Sequence, residues 1–124
     1  MHLKRFIATF CFFLLPPMAC AAGGTETWTA WVSDQACGAE HTTAGGASCV
    51  RKCKRGGSSI GHPEWKPQPV VLVRESDKTV WLVENPESLD GRDGERLQAI
   101  VTVDPGKKTV HVNSVAKSPE PKTP

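Results

Sequence analysis

Apolar and polar positions alternate with a period of two along much of this chain, and five stretches of it read as strands. In 25–33 (TETWTAWVS), Trp28, Ala30 and Val32 share one face, and Thr27, Thr29 and Trp31 take the other. The runs 70–74 (VVLVR) and 79–84 (TVWLVE) form a hairpin across Glu75-Ser76-Asp77-Lys78. The run 96–103 alternates Leu97, Ala99, Val101 and Val103. After the turn signal Asp104-Pro105-Gly106-Lys107, the run 109–115 points Val110 and Val112 inward and His111 outward.

Between the first two strands the pattern changes. Residues 47–55 (ASCVRKCKR) have room for about two helical turns, with Ser48 as the candidate N-cap and Gly56-Gly57 as the stop. Three prolines and a glycine make 58–69 a loop without regular structure. One further turn fits within 86–95, anchored by Leu89. Residues 116–124 (AKSPEPKTP) hold three prolines and read as a disordered tail. The fold class is therefore mainly β. Five strands at this spacing suit a small, partly open barrel of OB type with one short Cys-bearing helix between strands 1 and 2; a small sandwich or roll is the alternative.

The first residues change the picture of where this domain works. Lys4 and Arg5 precede a short apolar run, 6–15, then Pro16-Pro17 and the small-x-small sequence Ala19-Cys20-Ala21. That is the layout of a signal peptide over 1–21, cleaved after Ala21 or, as the next choice, Ala22. The product is expected in the periplasm or outside the cell. Lipidation of Cys20 is the rival processing route and the one way to a membrane anchor, although Pro17-Met18-Ala19 fits a lipobox poorly. Residues 22–124 carry 13 Lys and Arg against 13 Asp and Glu, so the formal charge of +2 belongs to the leader. A neutral domain has no net field to draw it to nucleic acid or anionic lipid.

The candidate chemistry sits in 34–57, which holds Cys37, His41, Cys49 and Cys53 with the cations Arg51, Lys52, Lys54 and Arg55. An oxidising compartment permits disulfides, and three cysteines leave one unpaired. Cys49 and Cys53 share a helix face with nearly parallel side-chain vectors, so Cys37 bonded to either is the better staple. The same residues form a Cys₃His set suited to zinc, and soft thiolates also favour copper(I). A third reading is a reactive Cys53, its thiolate stabilised by Lys52 and Lys54. The four cations most simply form a solvated helix face, with anion binding as the lesser alternative. His62 is expected to be solvated in its loop, and Trp28, Trp31 and Trp81 to lie in the core or on the barrel face. No Gly-x-Ser-x-Gly or phosphate-cradling glycine loop is present in the sequence.

Trp31-Val32-Ser33-Asp34, Cys37-Gly38-Ala39, His41, Cys49-x-x-x-Cys53 with Gly56-Gly57, and the closing 109–115 resemble an uncharacterised bacterial family of small exported proteins. The resemblance spans roughly 28–115 and implies an OB-like fold with no activity attached; the chain departs from it in a longer loop over 58–69. The expected function is a non-enzymatic, exported binding or envelope-structural module with its first loop stapled by a disulfide, taking a protein, glycan or small ligand. The alternatives are a metal protein holding zinc or copper, and a thiol redox protein.

Overall fold

A computed structural model describes residues 24–118. The expected leader over 1–21, with Cys20, and residues 119–124 of the expected tail lie outside the described residues. Five strands and one helix follow one another as β1 (Thr25–Asp34), α1 (Ala47–Arg55), β2 (Val70–Arg74), β3 (Val80–Val83), β4 (Arg96–Asp104) and β5 (Thr109–Lys117). Short 3₁₀ turns lie at Gly38–His41, Ser58–Ile60 and Pro86–Leu89.

The strands close into a ring in the order β1-β2-β3-β5-β4. The ring depends on the length of β1. Its first part pairs antiparallel with β4, from Thr25 opposite Thr102 to Trp31 opposite Arg96. Its last part pairs antiparallel with β2, from Ala30 opposite Arg74 to Asp34 opposite Val70. A short parallel contact between β3 and β5, at Leu82–Thr109 and Val83–Val110, completes the circuit. Where a partly open barrel was expected, this pair leaves no gap.

The inward residues are those the alternation marked. Trp28, Ala30, Val32, Leu97, Ala99, Val101, Val110 and Val112 are buried in one core with Leu72 and Trp81. Burying a side chain of this size stabilises by about 1.5–3 kcal/mol, so the repeated alternation outweighs any local propensity. Strand β2 is buried on both faces: Val70 and Leu72 join the core, while Val71 and Val73 are buried outside it. A strand covered on both sides reads as a continuous apolar run, which is what VVLVR is. On that side the turn at Gly38–His41 packs against β2, and α1, whose Val50 is fully buried, packs against the neighbouring β1.

Four expectations need correction. Helix α1 has the expected bounds, but its N-cap is Gly46, and Ser48 lies within the helix. Residues 58–69 are not without structure: they contain the turn Ser58–Ile60 and an antiparallel bridge between Gly57 and His62. Pro63, Pro67 and Pro69 all fall after this turn, so nothing blocks it. The stretch after Cys37, which has no apolar periodicity to predict an element, holds the 3₁₀ turn Gly38–His41. Finally, β5 continues to Lys117, and Ser118 is buried with its Oγ accepting from an Arg96 N–H at 2.8 Å, so residues 116–118 belong to the fold and not to a disordered tail.

Candidate functional site

The end of β1 positions the first cysteine. Ser33 and Asp34 are both fully buried there. Asp34 Oδ1 accepts from the backbone N–H of Ala36 and of Cys37, each at 3.0 Å. This is the local turn that an aspartate makes with the next residues but one and two. Ser33 Oγ donates to the Gly38 carbonyl at 2.8 Å, and the Glu40 N–H donates to the Cys37 carbonyl at 3.1 Å. Cys37 is thus held by bonds on both sides of it.

Helix α1 brings the other two. Cys49 and Cys53 are one turn apart, and Val50, on the same side, anchors that face in the interior. Lys54 Nζ reaches Asp93 Oδ1 at 2.6 Å, and the Gln68 N–H donates to the Cys53 carbonyl at 2.9 Å. Gly94 lies against the start of the helix: a Cβ there would fall 2.5 Å from the Ala47 Cα. Helix, β1 end and the turn before β4 are packed into one unit.

The result is a cluster of three thiols. The Sγ atoms of Cys37, Cys49 and Cys53 all lie within 4.8 Å of one another, each residue half-buried. Cys37 and Cys53 stand 3.8 Å apart, and all three are free thiols. Burial pushes the Cys37 thiol well above its ordinary range, and the neighbouring sulfur and the Asp34 charge push the same way. Burial likewise raises Cys53, with the Cys37 hydrogen bond opposing and Asp34 adding to the rise. This reverses the expectation that cations would lower it. Lys54 is turned to Asp93 and Lys52 is exposed to solvent, and burial of the sulfur governs its ionisation.

The remaining candidates separate from the cluster. His41 has its backbone in the turn Gly38–His41, four residues after Cys37; its side chain lies outside the described residues. Arg51, Lys52 and Arg55 are exposed. His62 is exposed in its loop, with Nδ1 at 2.9 Å from Glu64 Oε1, and stacks on Trp65. His111 is exposed on β5, whereas Trp28 and Trp81 are buried in the core with ring centroids 5.4 Å apart.

Sequence reasoning passed over Asp34. Its Oδ2 is buried with no hydrogen-bond partner among the described residues, beside thiols whose ionisation its charge resists. The signal was present in Ser-Asp-x-x-Cys, where an aspartate at a strand end can bond the backbone of the cysteine that follows. Chemically, three convergent thiols can give up protons and donate to a soft cation, or two of them can join as a disulfide by passing two electrons and two protons to an external oxidant. No protein-family model, curated protein or solved structure matches this chain.

Proposed function

We propose that this protein is a metal-binding module for a thiophilic ion, zinc or copper(I), held by Cys37, Cys49 and Cys53 with His41 as the fourth ligand. The observation that carries the reading is the sulfur spacing. Zinc–sulfur bonds of about 2.3 Å at the tetrahedral angle set two thiolates about 3.8 Å apart. Cys37 and Cys53 stand at 3.8 Å before any ion is added, and Cys49 is within 4.8 Å of both. The end of β1 and helix α1 converge on that distance, and the 3₁₀ turn Gly38–His41 holds the backbone of His41 four residues after Cys37.

The raised thiols set the pH dependence. At neutral pH they are protonated, so an entering ion must displace protons. Apparent zinc affinity therefore rises with pH, by about tenfold or more per unit between pH 6 and 8. Cobalt(II) titration of the reduced protein reads this directly through its thiolate charge-transfer band. The band should saturate at one equivalent and vanish in Cys37→Ser, Cys49→Ser and Cys53→Ser. A chain that shows no band at any pH removes the reading.

The fold that goes with this function is of OB type, supported by five strands in a closed ring in which β1 pairs with both β2 and β4. Export by the leader makes the site periplasmic or extracellular. A second reading keeps the disulfide-stapled binding module. The Cys37–Cys53 pair favours it, because these two sulfurs already stand 3.8 Å apart. Oxidised protein would then lose two hydrogens and bind no metal.

A further inference from the structure

Beside the cysteines, residues 56–68 fold back over the C-terminal end of α1. The fold-back is pinned by backbone bonds: Gly57 N–H to the Trp65 carbonyl at 2.9 Å, His62 N–H to the Gly57 carbonyl at 2.8 Å, and Trp65 N–H to the His62 carbonyl at 3.0 Å. Gly56 permits the close approach, with φ of 72° and with space for a Cβ only 2.6 Å from the Trp65 carbonyl oxygen. Between this loop and the helix lies an open groove of about 650 Å³.

The groove has a definite chemistry. Ile60 and Trp65 line it while 67% and 52% exposed, the two most exposed large apolar side chains among the described residues. Cys49 and Cys53 also line it. His62 stacks on the Trp65 ring at 3.9 Å and 9°, holding the indole in place before any ligand arrives. Lys52, Arg55 and Lys66 add three cations to the lining, and none is ion-paired among the described residues. The one carboxylate there, Glu64, is tied to His62.

We propose that this groove binds a small anionic amphiphile, a compound with a flat apolar body and a carboxylate, sulfonate or phosphate group. Apolar area supplies the affinity and the cations fix the orientation, the usual division in ligand sites of about 300–1,000 Å³. The wall is already ordered, so little conformational entropy opposes binding. The charge balance favours an anion: three cations with no ion pair among the described residues face one carboxylate, in a stretch 22–124 that is neutral as a whole. This proposal rests on the groove lining and not on the sulfur spacing, although the groove shares Cys49 and Cys53 with the metal site.

The test is an amide NMR titration of the reduced, metal-free full chain with naphthalenesulfonate, and with the neutral naphthalenesulfonamide in parallel. Zinc binding is read separately, so either claim can fail alone. The sulfonate should shift Cys49, Cys53, Ile60 and the Trp65 indole, and bind several-fold more tightly than the sulfonamide. Lys52→Glu with Arg55→Glu should weaken the sulfonate by roughly 3- to 10-fold, the sum of two exposed charge contacts, and leave the sulfonamide unchanged. Ile60→Ser, at an exposed position that the fold does not need, should weaken both. Equal affinity for the two probes, or shifts scattered away from this loop, overturns the proposal. So does sedimentation with anionic vesicles in the absence of any sulfonate shift, which makes the patch a lipid-surface contact instead.

Discussion

Asp34 does two things from one buried position. Oδ1 orders the backbone that carries Cys37, and the carboxylate charge raises the thiols around it. Replacing it with alanine leaves two backbone N–H groups without their acceptor. Each such loss costs about 1–3 kcal/mol when buried, so Asp34→Ala should lower stability by at least that much in a denaturant melt. Asp34→Asn keeps the acceptor and removes the charge; it should fold and alkylate faster at Cys37 and Cys53. Unchanged alkylation in that variant would show that burial alone sets the thiol ionisation. At this scale the sequence was legible in residue type and illegible in environment. The three cysteines were found as a set because they are rare and close in the chain. The sign of the Cys53 shift was missed, because Lys54 takes its charge to Asp93, a partner 39 residues away.

Among the elements, α1 was readable to its bounds, since Gly56 and Gly57 end it and the cations suit its C-terminus. Its N-cap was misread. Ser48 has the chemistry of a cap, but the helix begins before it and the cap is Gly46, without a side-chain bond. What the local sequence could not show is the surface against which the helix starts. Gly94, with φ of 72°, touches Ala47 there, and a Cβ would meet the Ala47 backbone at 2.5 Å. Gly94→Ala should therefore push α1 away from β1, destabilise by about 1–3 kcal/mol, and weaken zinc by moving Cys49 and Cys53 from Cys37. A stable variant with unaltered zinc affinity would separate the helix position from the site. The loop 58–69 was misjudged for a related reason. Prolines forbid helix where they stand, but here they follow a turn held by Gly57.

For the whole molecule, period-two alternation carried the strands and the core, because each inward position meets the same apolar interior. Ring closure was less accessible. The parallel β3–β5 pair joins two short stretches far apart in the chain, and no local pattern announces it. A charged tie also bridges the ring. Arg96, at the start of β4, binds Glu75 after β2 at 3.0 and 2.8 Å. The Arg96 hydrogen bonds hold the Glu75 carboxyl below its usual range, against the opposing effect of burial. A depressed carboxyl contributes stability that is present above its unfolded pKa, about 4.3, and is lost as pH falls through the folded value. Melting temperature should therefore decline as pH falls from about 5 toward 3, and decline less in Glu75→Gln. Parallel curves for the two proteins would assign the acid loss to other groups. Both side chains are partly exposed, so added salt should shrink the difference.

The claim on which the rest turns is that Cys37, Cys49 and Cys53 form a metal centre. Intact mass of the protein, native and denatured, purified without chelator or reductant, tests it most directly. The metal reading predicts one zinc or copper retained in the native spectrum, and all three of these thiols reduced once the chain is denatured. A denatured mass short by two hydrogens, with no metal in the native spectrum, would contradict it and return the cysteines to the role of a staple.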